Sequence, residues 1–233
     1  MPQKNNDGFR SDVKRLIKDL SRPSYITDFY KDIGIDSLIV LSSVFRPDKS
    51  YLGSYLAQVL SDKKDLYKNK TVLDLGCGCG LLGIICLLKG AKKVYFSDIN
   101  PEAVKNSKLN TISLDLNNSS FNRGNLFDGL SKKCKFDVII FNSPTISGLP
   151  SDMIEAAFIR EDNLILEFYK HFPQYLKKGG FVIMPGSTKF DRKAEPINLS
   201  KQFDYISYIL DKRYGGKDYK YAILIKNQKV KCG

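Results

Sequence analysis

The chain has 233 residues, an ordinary apolar content of 42% and a formal net charge of +12. This length supports one α/β domain with a hydrophobic core, with or without a small appendage. No apolar run approaches the roughly 18 residues of a transmembrane helix, and Met1–Gly8 lacks the apolar segment of a signal peptide, so we expect no membrane association. Five cysteines without a framework spacing favour a reducing compartment and therefore a cytoplasmic protein.

The positive charge has two interpretations. It attracts nucleic acid, a ribosome or another acidic surface, or it reflects a lysine-rich composition without specific meaning. The basic residues are scattered, but they cluster somewhat at the two ends of the chain: Lys14, Arg15, Lys18 and Arg22, then Lys212, Arg213, Lys217, Lys220, Lys226, Lys229 and Lys231. The charge alone leaves both interpretations open.

The first 60 residues are predicted to form an extension that is mainly helical. The predicted elements are a helix over Ser11–Leu20, a helical turn over Tyr25–Tyr30, a β run over Ser37–Leu41 and a helix over Tyr51–Leu60. Ser50 is suited to cap the last of these helices. We therefore divide the chain into a helical extension, residues 1–60, and a main domain, residues 61–233.

The main domain begins with the most informative stretch of the chain. A short apolar strand, Thr71–Leu75, leads into glycines at alternate positions, Gly76, Gly78 and Gly80, and then into the helix-length apolar run Leu81–Leu88. This pattern predicts a strand, a tight loop and a helix. Glycines here let the backbone turn sharply and let a ligand approach the main chain.

Strands and helices then alternate to residue 184. The sequence predicts strands over Lys93–Ser97, Ser119–Asn125, Lys135–Phe141 and Phe181–Met184, and helices over Pro101–Asn110, Asp152–Ile159 and Asn163–Leu176. Two further β runs, Phe203–Leu210 and Tyr219–Ile225, are separated by Gly215-Gly216 and predict a terminal hairpin. The alternation predicts a mostly parallel sheet covered on both faces, to which the hairpin adds an antiparallel strand.

The glycine loop fits two classes of ligand. Gly78–Gly83 matches the glycine spacing of a dinucleotide site, whereas Asp74–Gly80 places an acid ahead of the glycines. A pyrophosphate favours backbone N–H groups without a nearby carboxylate, but a cofactor with ammonium and sulfonium groups tolerates an acid. Asp74 can also serve only to tie down its own loop. Asp98 does not separate the two classes, since it can bind ribose hydroxyls of either cofactor.

Together, Val72–Gly80 and Phe96–Pro101 resemble the first two motifs of class I S-adenosylmethionine-dependent methyltransferases. The resemblance covers roughly residues 40–227. It implies a Rossmann-like, seven-stranded, mostly parallel sheet that ends in a C-terminal antiparallel hairpin and follows the N-terminal helical extension. An NAD-dependent oxidoreductase is the alternative class.

The resemblance also implies roles for individual residues. Those expected to contact S-adenosylmethionine are Asp74, Gly76, Cys77, Gly78 and Gly80 at its methionine part, Asp98 at the ribose, Ile99 and Asn125 at the adenine, and Asn142 near the methyl group. The Asn125 carbonyl can accept a hydrogen bond from the adenine amino group, although a solvated turn is an equally good interpretation of this residue.

Asn142-Ser-Pro-Thr145 follows the predicted strand Lys135–Phe141, at the end where parallel sheets bind ligands. It resembles the Asn-Pro-Pro-aromatic motif of amino-group methyltransferases of the HemK and small-domain groups. This resemblance implies that Asn142, Ser143 and Pro144 form the catalytic motif. The Asn142 and Ser143 carbonyls would accept the hydrogens of an attacking nitrogen and aim its lone pair. The alternative is a simple Asx-type turn before Pro144.

The motif departs from its relatives at two positions. Ser143 replaces the first proline, and Thr145 replaces the aromatic residue that packs against a flat amide or base. Thr145 and Tyr51 are therefore the candidate substrate contacts, with Tyr51, Phe141 or Phe121 as a replacement aromatic face. Val44–Leu52, which contains Tyr51, also resembles the lid segment that such enzymes place ahead of the first sheet strand.

Our hypothesis is an S-adenosylmethionine-dependent methyltransferase that modifies a nitrogen of RNA or of a translation-related protein. The alternatives are an enzyme for a small amine-bearing metabolite, an NAD-dependent oxidoreductase and a non-catalytic nucleic-acid-binding protein. We expect no metal site, because Cys77 and Cys79 have no second pair and His171 is the only histidine. His171 is expected at the surface, and the acidic cluster of Asp152, Glu155, Glu161 and Asp162 on a solvated helix face.

Overall fold

The computed structural model describes residues 23–153, 155–189 and 195–229. The strands are β1 (Tyr25–Thr27), β2 (Leu38–Val40), β3 (Thr71–Leu75), β4 (Lys93–Asp98), β5 (Ser119–Arg123), β6 (Phe136–Phe141), β7 (Ile146–Ser147), β8 (Ile159–Arg160), β9 (Leu176–Ser187), β10 (Tyr205–Gly215) and β11 (Asp218–Lys229). The α-helices are α1 (Tyr51–Asp62), α2 (Leu81–Leu88), α3 (Pro101–Ser113), α4 (Asp162–His171) and α5 (Pro196–Gln202). Within the described ranges, no helix is long and apolar enough to cross a membrane.

Seven strands form the central sheet in the order β10-β11-β9-β6-β3-β4-β5. Strands β3, β4, β5, β6 and β9 pair in parallel, and β11 pairs antiparallel with both β9 and β10. The predicted α/β class, the mostly parallel sheet and the C-terminal antiparallel hairpin are confirmed. The order reverses between β3 and β6, which is the position where open α/β sheets bind ligands.

The sheet is buried on both faces because its central strands are apolar at successive positions. Val72 and Val138 belong to one hydrophobic cluster with α1 and α2, whereas their chain neighbours Leu73 and Ile139 belong to a second cluster with α4. Successive side chains of a strand point to opposite faces, so this division requires a layer of helices on each side. The continuous apolar runs in the sequence therefore indicate an architecture of three layers, with the sheet between two layers of helices.

The extension is partly different from its prediction. Tyr25–Thr27 forms β1, paired antiparallel with β2, and not the predicted helical turn, because its backbone finds hydrogen-bonding partners in a segment distant in sequence. Buried Asn106 and Asn110 of α3 bind the backbone of Ile39, which holds β2 against the main domain. The helix predicted over Ser11–Leu20 lies outside the described residues.

A second difference lies between β6 and β9. The predicted helix over Asp152–Ile159 is wrong: the described part contains a short 3₁₀ helix, Glu155–Ala157, followed by β8. Strand β8 pairs with β7, and Ile146 donates a hydrogen bond to the Phe158 carbonyl. Likewise α4 stops at His171, and the 3₁₀ turn Phe172–Tyr175 leads into β9. In the flap, tertiary pairing overrides local helix propensity, whereas at the end of α4 Pro173 lacks a backbone N–H and interrupts the helix.

Candidate active site

A cavity of about 560 Å³ opens at the carboxyl edge of the sheet. Its wall combines the start of α1 and the residues before it, the β3–α2 loop, and the residues that follow β4, β5 and β6. A flap, which we define as β7, β8 and the described residues between them, closes one side. Segments distant in sequence therefore meet at the edge where the strand order reverses.

The β3–α2 loop is fastened to the end of β4. Gly76 and Cys77 both donate backbone hydrogen bonds to the Ser97 carbonyl, at 2.8 and 3.1 Å. Gly76, Gly78 and Gly80 have φ values of 67°, 53° and 89°, which side chains rarely permit. Gly76, Cys77 and Gly78 line the cavity, and their contact with the cofactor stays a prediction.

Gly80 does not line the cavity but begins α2 against α3. A Cβ added to Gly80 would lie 2.9 Å from Cβ of Ser107, so a glycine allows the two helices to approach closely. The third glycine of the predicted cofactor loop thus has a packing role. Its assignment as a direct contact of the cofactor remains a prediction.

Asp98 sits in the cavity wall at the end of β4. Its carboxylate accepts hydrogen bonds from the backbone N–H groups of Gly78, at 3.0 Å, and Asn100, at 2.9 Å. Burial raises the pKa of Asp98, while these backbone hydrogen bonds act to lower it. Ile99 also lines the cavity and is 39% exposed. A carboxylate beside an open apolar side chain suits ribose hydroxyls and an adenine ring.

Asp74 lies beneath the loop and not in the cavity wall. It is 1% exposed, and its carboxylate accepts a hydrogen bond from Gly83 N–H at 2.9 Å. Burial is the main cause that raises the pKa of Asp74 to about 7. This contact fits the alternative in which Asp74 ties down its own loop, so a direct contact with the methionine part remains a prediction.

The remaining residues that were predicted to contact the cofactor or the acceptor follow the ends of β5 and β6. Asn125 lines the cavity at the exposed end of β5. Asn142, Ser143, Pro144 and Thr145 all line it after β6, and each is partly exposed. In the described ranges, no hydrogen bond engages the side chains of Asn142, Ser143 or Thr145.

Helix α1 brings the lid segment over this motif. Ser50 caps α1 by accepting a hydrogen bond from Gly53 N–H at 2.8 Å, as predicted. A Cβ added to Gly53 would lie 3.2 Å from Nδ2 of Asn142, so the helix backbone passes close to the amide. Glycine leaves Asn142 room to turn toward a ligand. Sequence reasoning missed this contact, because nothing in a single glycine within a helix identifies its neighbour.

Tyr51 is the best placed of the proposed replacement aromatic faces. It lines the cavity and is 38% exposed. Phe141 also lines the cavity, but it is only 3% exposed and packs on Phe168, and Phe121 stacks on Phe96. Lys189 lies 5.6 Å from the Tyr51 ring centroid and also lines the cavity. Lys189 is not among the residues predicted from the sequence, although its position just after a strand at this edge is a signal that could have identified it.

The weaker candidates have ordinary surroundings. Cys77 and Cys79 are buried thiols. Burial raises the pKa of both, and that of Cys79 rises to about 12. No group of three or more potential metal ligands occurs among the described residues. His171 is exposed on α4, 3.2 Å from Glu167. The acidic cluster does not lie on one helix face. Asp152 accepts a hydrogen bond from Glu155 N–H in the flap, whereas Glu161 and Asp162 stand at the start of α4.

The sheet order, the glycine loop fastened under Asp98 and the following cavity define a class I S-adenosylmethionine-dependent methyltransferase. The residues fit the cofactor by the chemistry of their donors and acceptors: loop N–H groups, a carboxylate for ribose hydroxyls and an apolar wall. The methyltransferase small domain model matches residues 37–214. The chain therefore belongs to the methyltransferase small domain family, and the NAD alternative is set aside.

Two curated relatives illustrate this membership. A Methanocaldococcus jannaschii protein, provisionally named a protein N5-glutamine methyltransferase, is 40% identical over 149 residues, which cover 59% of this chain and 72% of that protein. The ribosomal protein L11 methyltransferase of Ruminiclostridium cellulolyticum is 31% identical over 148 residues, which cover 63% of this chain and 41% of that enzyme. The chain thus spans most of the first relative and less than half of the second.

Two solved structures share the fold. The T. thermophilus 16S rRNA N2 G1207 methyltransferase, in complex with AdoMet and guanosine, has a TM-score of 0.63 at 18% identity, covering 82% of this chain and 47% of that one. A Pyrococcus furiosus methyltransferase has a TM-score of 0.59 at 15% identity, and the superposition covers 94% of this chain and 98% of that one. At these identities the likeness concerns the fold alone.

Proposed function

We propose that the protein transfers the methyl group of S-adenosylmethionine to a nitrogen of an RNA or of a translation-related protein, and that Asn142 positions this nitrogen. One observation carries the proposal: the Asn142 amide lines the cavity without a hydrogen bond to any described residue. A buried or half-buried amide normally has partners. An acceptor nitrogen in the cavity would supply them.

The side chains and backbone of this site suit attack by a neutral nitrogen. The cofactor supplies an electrophilic methyl group on a sulfonium. In this proposal the Asn142 side-chain carbonyl and the Ser143 backbone carbonyl accept N–H hydrogens of the acceptor, which aims the lone pair and stabilises the positive charge that develops on nitrogen. The proton can leave to water after transfer, so no strong base is required. His171, which lies on α4 outside the cavity lining, takes no part.

The choice of a macromolecular acceptor rests on the relatives and on charge. The names of the similar proteins give a glutamine N5, ribosomal protein L11 and a guanosine N2 of 16S rRNA as their acceptors. The net charge of +12 favours acceptors that are anionic or bound to RNA. A cytoplasmic reaction fits the reduced cysteines. A small amine is the alternative, because Thr145 offers no stacking face for a flat acceptor.

Incubation of the purified protein with cell extract and methyl-labelled S-adenosylmethionine tests the proposal. Label should appear in material that either ribonuclease or protease degrades. Asn142→Ala should slow the labelling by about 100- to 1,000-fold while still binding S-adenosylhomocysteine. Label confined to the small-molecule fraction would refute the macromolecular acceptor, and undiminished labelling by Asn142→Ala would refute the role of Asn142.

A further inference from the structure

The turn of the β10–β11 hairpin lies beside the cavity. Strand β9 ends at this edge of the sheet, and β11, which is antiparallel to it, begins there. Thr188 donates a backbone hydrogen bond to the Tyr219 carbonyl at 3.1 Å, and its hydroxyl accepts one from Tyr219 N–H at 3.0 Å. The next residue, Lys189, lines the cavity. The start of β11 is therefore joined directly to the cavity wall.

This part of the hairpin alternates lysine with tyrosine. We use the term lysine–tyrosine surface for Lys189, Lys212, Tyr214, Lys217, Tyr219 and Lys220. Tyr214 is 72% exposed, and Lys212, Lys217 and Lys189 are exposed as well. Tyr219 packs partly against the second hydrophobic cluster, but the ring of Tyr214 is largely open to solvent, so packing does not require an aromatic residue at position 214.

The rings and ammonium groups of this surface are in contact. Lys212 Nζ lies 4.8 Å from the ring centroid of Tyr214 and 3.8 Å from that of Tyr219. Lys220 Nζ lies 4.4 Å from the centroid of Tyr51, which lines the cavity. These distances are those of cation–π pairs. The strand register places Lys212, Tyr214 and Tyr219 on one face of the hairpin and Lys220 on the other, where it meets Tyr51. Cations and aromatic rings therefore line both faces of this end of the hairpin, and the face that carries Lys220 adjoins the cavity.

The neighbouring carboxylates do not neutralise these lysines. Asp211 accepts hydrogen bonds from Tyr55 and Arg213, and Asp62 lies 3.6 Å from the same Arg213. Asp218 is engaged by the Thr188 hydroxyl. Within the described residues, no ion pair involves any lysine of the lysine–tyrosine surface. Several ammonium groups therefore remain available to an anionic partner.

We propose that the lysine–tyrosine surface binds single-stranded RNA and leads it to the cavity. Phosphates meet the free lysines, and unpaired bases stack on the exposed tyrosine rings, which is the usual combination for single-stranded nucleic acid. An acidic peptide would use the lysines but would have no reason to need the rings. The inference rests on the proposed function in one respect, since it specifies RNA as the material presented to Asn142.

Fluorescence anisotropy with a short, labelled, unstructured RNA tests this surface. The wild-type protein should bind the RNA saturably, and Tyr214→Ala should weaken binding about tenfold, whereas Tyr214→Phe should stay within about twofold because it retains the ring. The double variant Lys212→Ala/Lys217→Ala should reduce the slope of log Kd against log salt by about 1.4, at about 0.7 for each phosphate that the protein no longer neutralises.

The matched control is Lys132→Ala/Lys133→Ala, two exposed lysines that precede β6 and so lie at the opposite edge of the sheet. This variant should bind RNA like the wild type. Equal weakening by both lysine pairs, indifference to Tyr214→Ala, or equal competition by polyglutamate would each overturn the proposal, the last in favour of an acidic protein partner.

Calorimetry with S-adenosylhomocysteine separates the two proposals. Each variant should bind it like the wild type, which shows that the fold and cofactor site are intact. RNA binding with the expected variant effects but without methylation of any RNA or protein would support the surface and contradict the proposed function. Methylation that depends on Asn142, combined with no RNA binding, would do the reverse.

Discussion

The cavity has two halves that are built differently. In the cofactor half, the loop after β3 and the end of β4 are joined by backbone hydrogen bonds, and the Asp98 carboxylate is held by two N–H groups. In the acceptor half, the motif that begins at Asn142 lies between α1 and the flap, and no described residue hydrogen-bonds its side chains. One half is fixed before a ligand arrives, and the other offers unused polar groups.

This difference has a physical reason. A cofactor site used with every acceptor benefits from preorganisation, because no free energy is then lost to ordering it during binding. Acceptor contacts are effective when they are made in the transition state, so polar groups directed at the reacting nitrogen need no partner in the protein. Variants in each half should therefore affect different measurements.

The largest expected effect is that of Asn142→Ala. Loss of one aligned polar group at the reacting centre should reduce the methyl-transfer rate by about 100- to 1,000-fold. Binding of S-adenosylhomocysteine should change by less than about tenfold, because the cofactor half stays intact. Single-turnover rates and calorimetry measure the two quantities. A loss of cofactor affinity as large as the loss of rate would contradict the separation of the two halves.

Asp98→Ala should show the opposite pattern. It removes the acceptor of two backbone hydrogen bonds and of the expected ribose contacts, so cofactor affinity should fall about 100-fold. The rate at saturating cofactor should fall much less. Asp98→Asn, which retains one carbonyl acceptor, should lie between the wild type and the alanine variant in a calorimetric titration.

Asp74→Asn probes the support beneath the cofactor half through pH. Burial raises the pKa of Asp74 to about 7, from an ordinary 3.8, so the native protein binds more protons than the unfolded chain between these values. Its free energy of unfolding should then fall as pH rises, by about 2 kcal/mol between pH 5 and 7 relative to Asp74→Asn. The asparagine can still accept the Gly83 hydrogen bond but does not titrate.

Urea unfolding of both proteins at several pH values measures this difference. Parallel stability curves for the wild type and Asp74→Asn would show that Asp74 does not carry the proton expected of it. A steeper decline in the variant would contradict the sign of the pKa change.

The smallest expected effect concerns the support of the acceptor half. Ser50→Ala removes the cap of α1 and should lower the free energy of unfolding by about 1 kcal/mol. Ser50→Gly is the matched control and should lower the free energy of unfolding by only about a few tenths of a kcal/mol. If Ser50→Ala also raises KM for the acceptor while leaving cofactor affinity unchanged, the start of α1 belongs to the acceptor half.

Much of the fold could be predicted because its signals are local. The apolar runs of β3 and β6 predict strands buried on both faces, and the glycines after Leu75 predict the turn that follows. The flap was mispredicted as a helix because its structure depends on pairing between Ile146 and Ile159, which no local pattern specifies. The strand at Tyr25–Thr27 was missed for the same reason.

The sequence by itself determined the sheet, the cofactor loop and the position of Asn142, because each is encoded in a contiguous stretch whose spacing sets backbone geometry. Only the tertiary structure decided that Asp74 supports the loop from below, that Gly53 approaches Asn142, and that Lys220 reaches Tyr51. These contacts join residues from separate elements. They depend on how helices and strands pack around one cavity, and packing is a property of the whole chain.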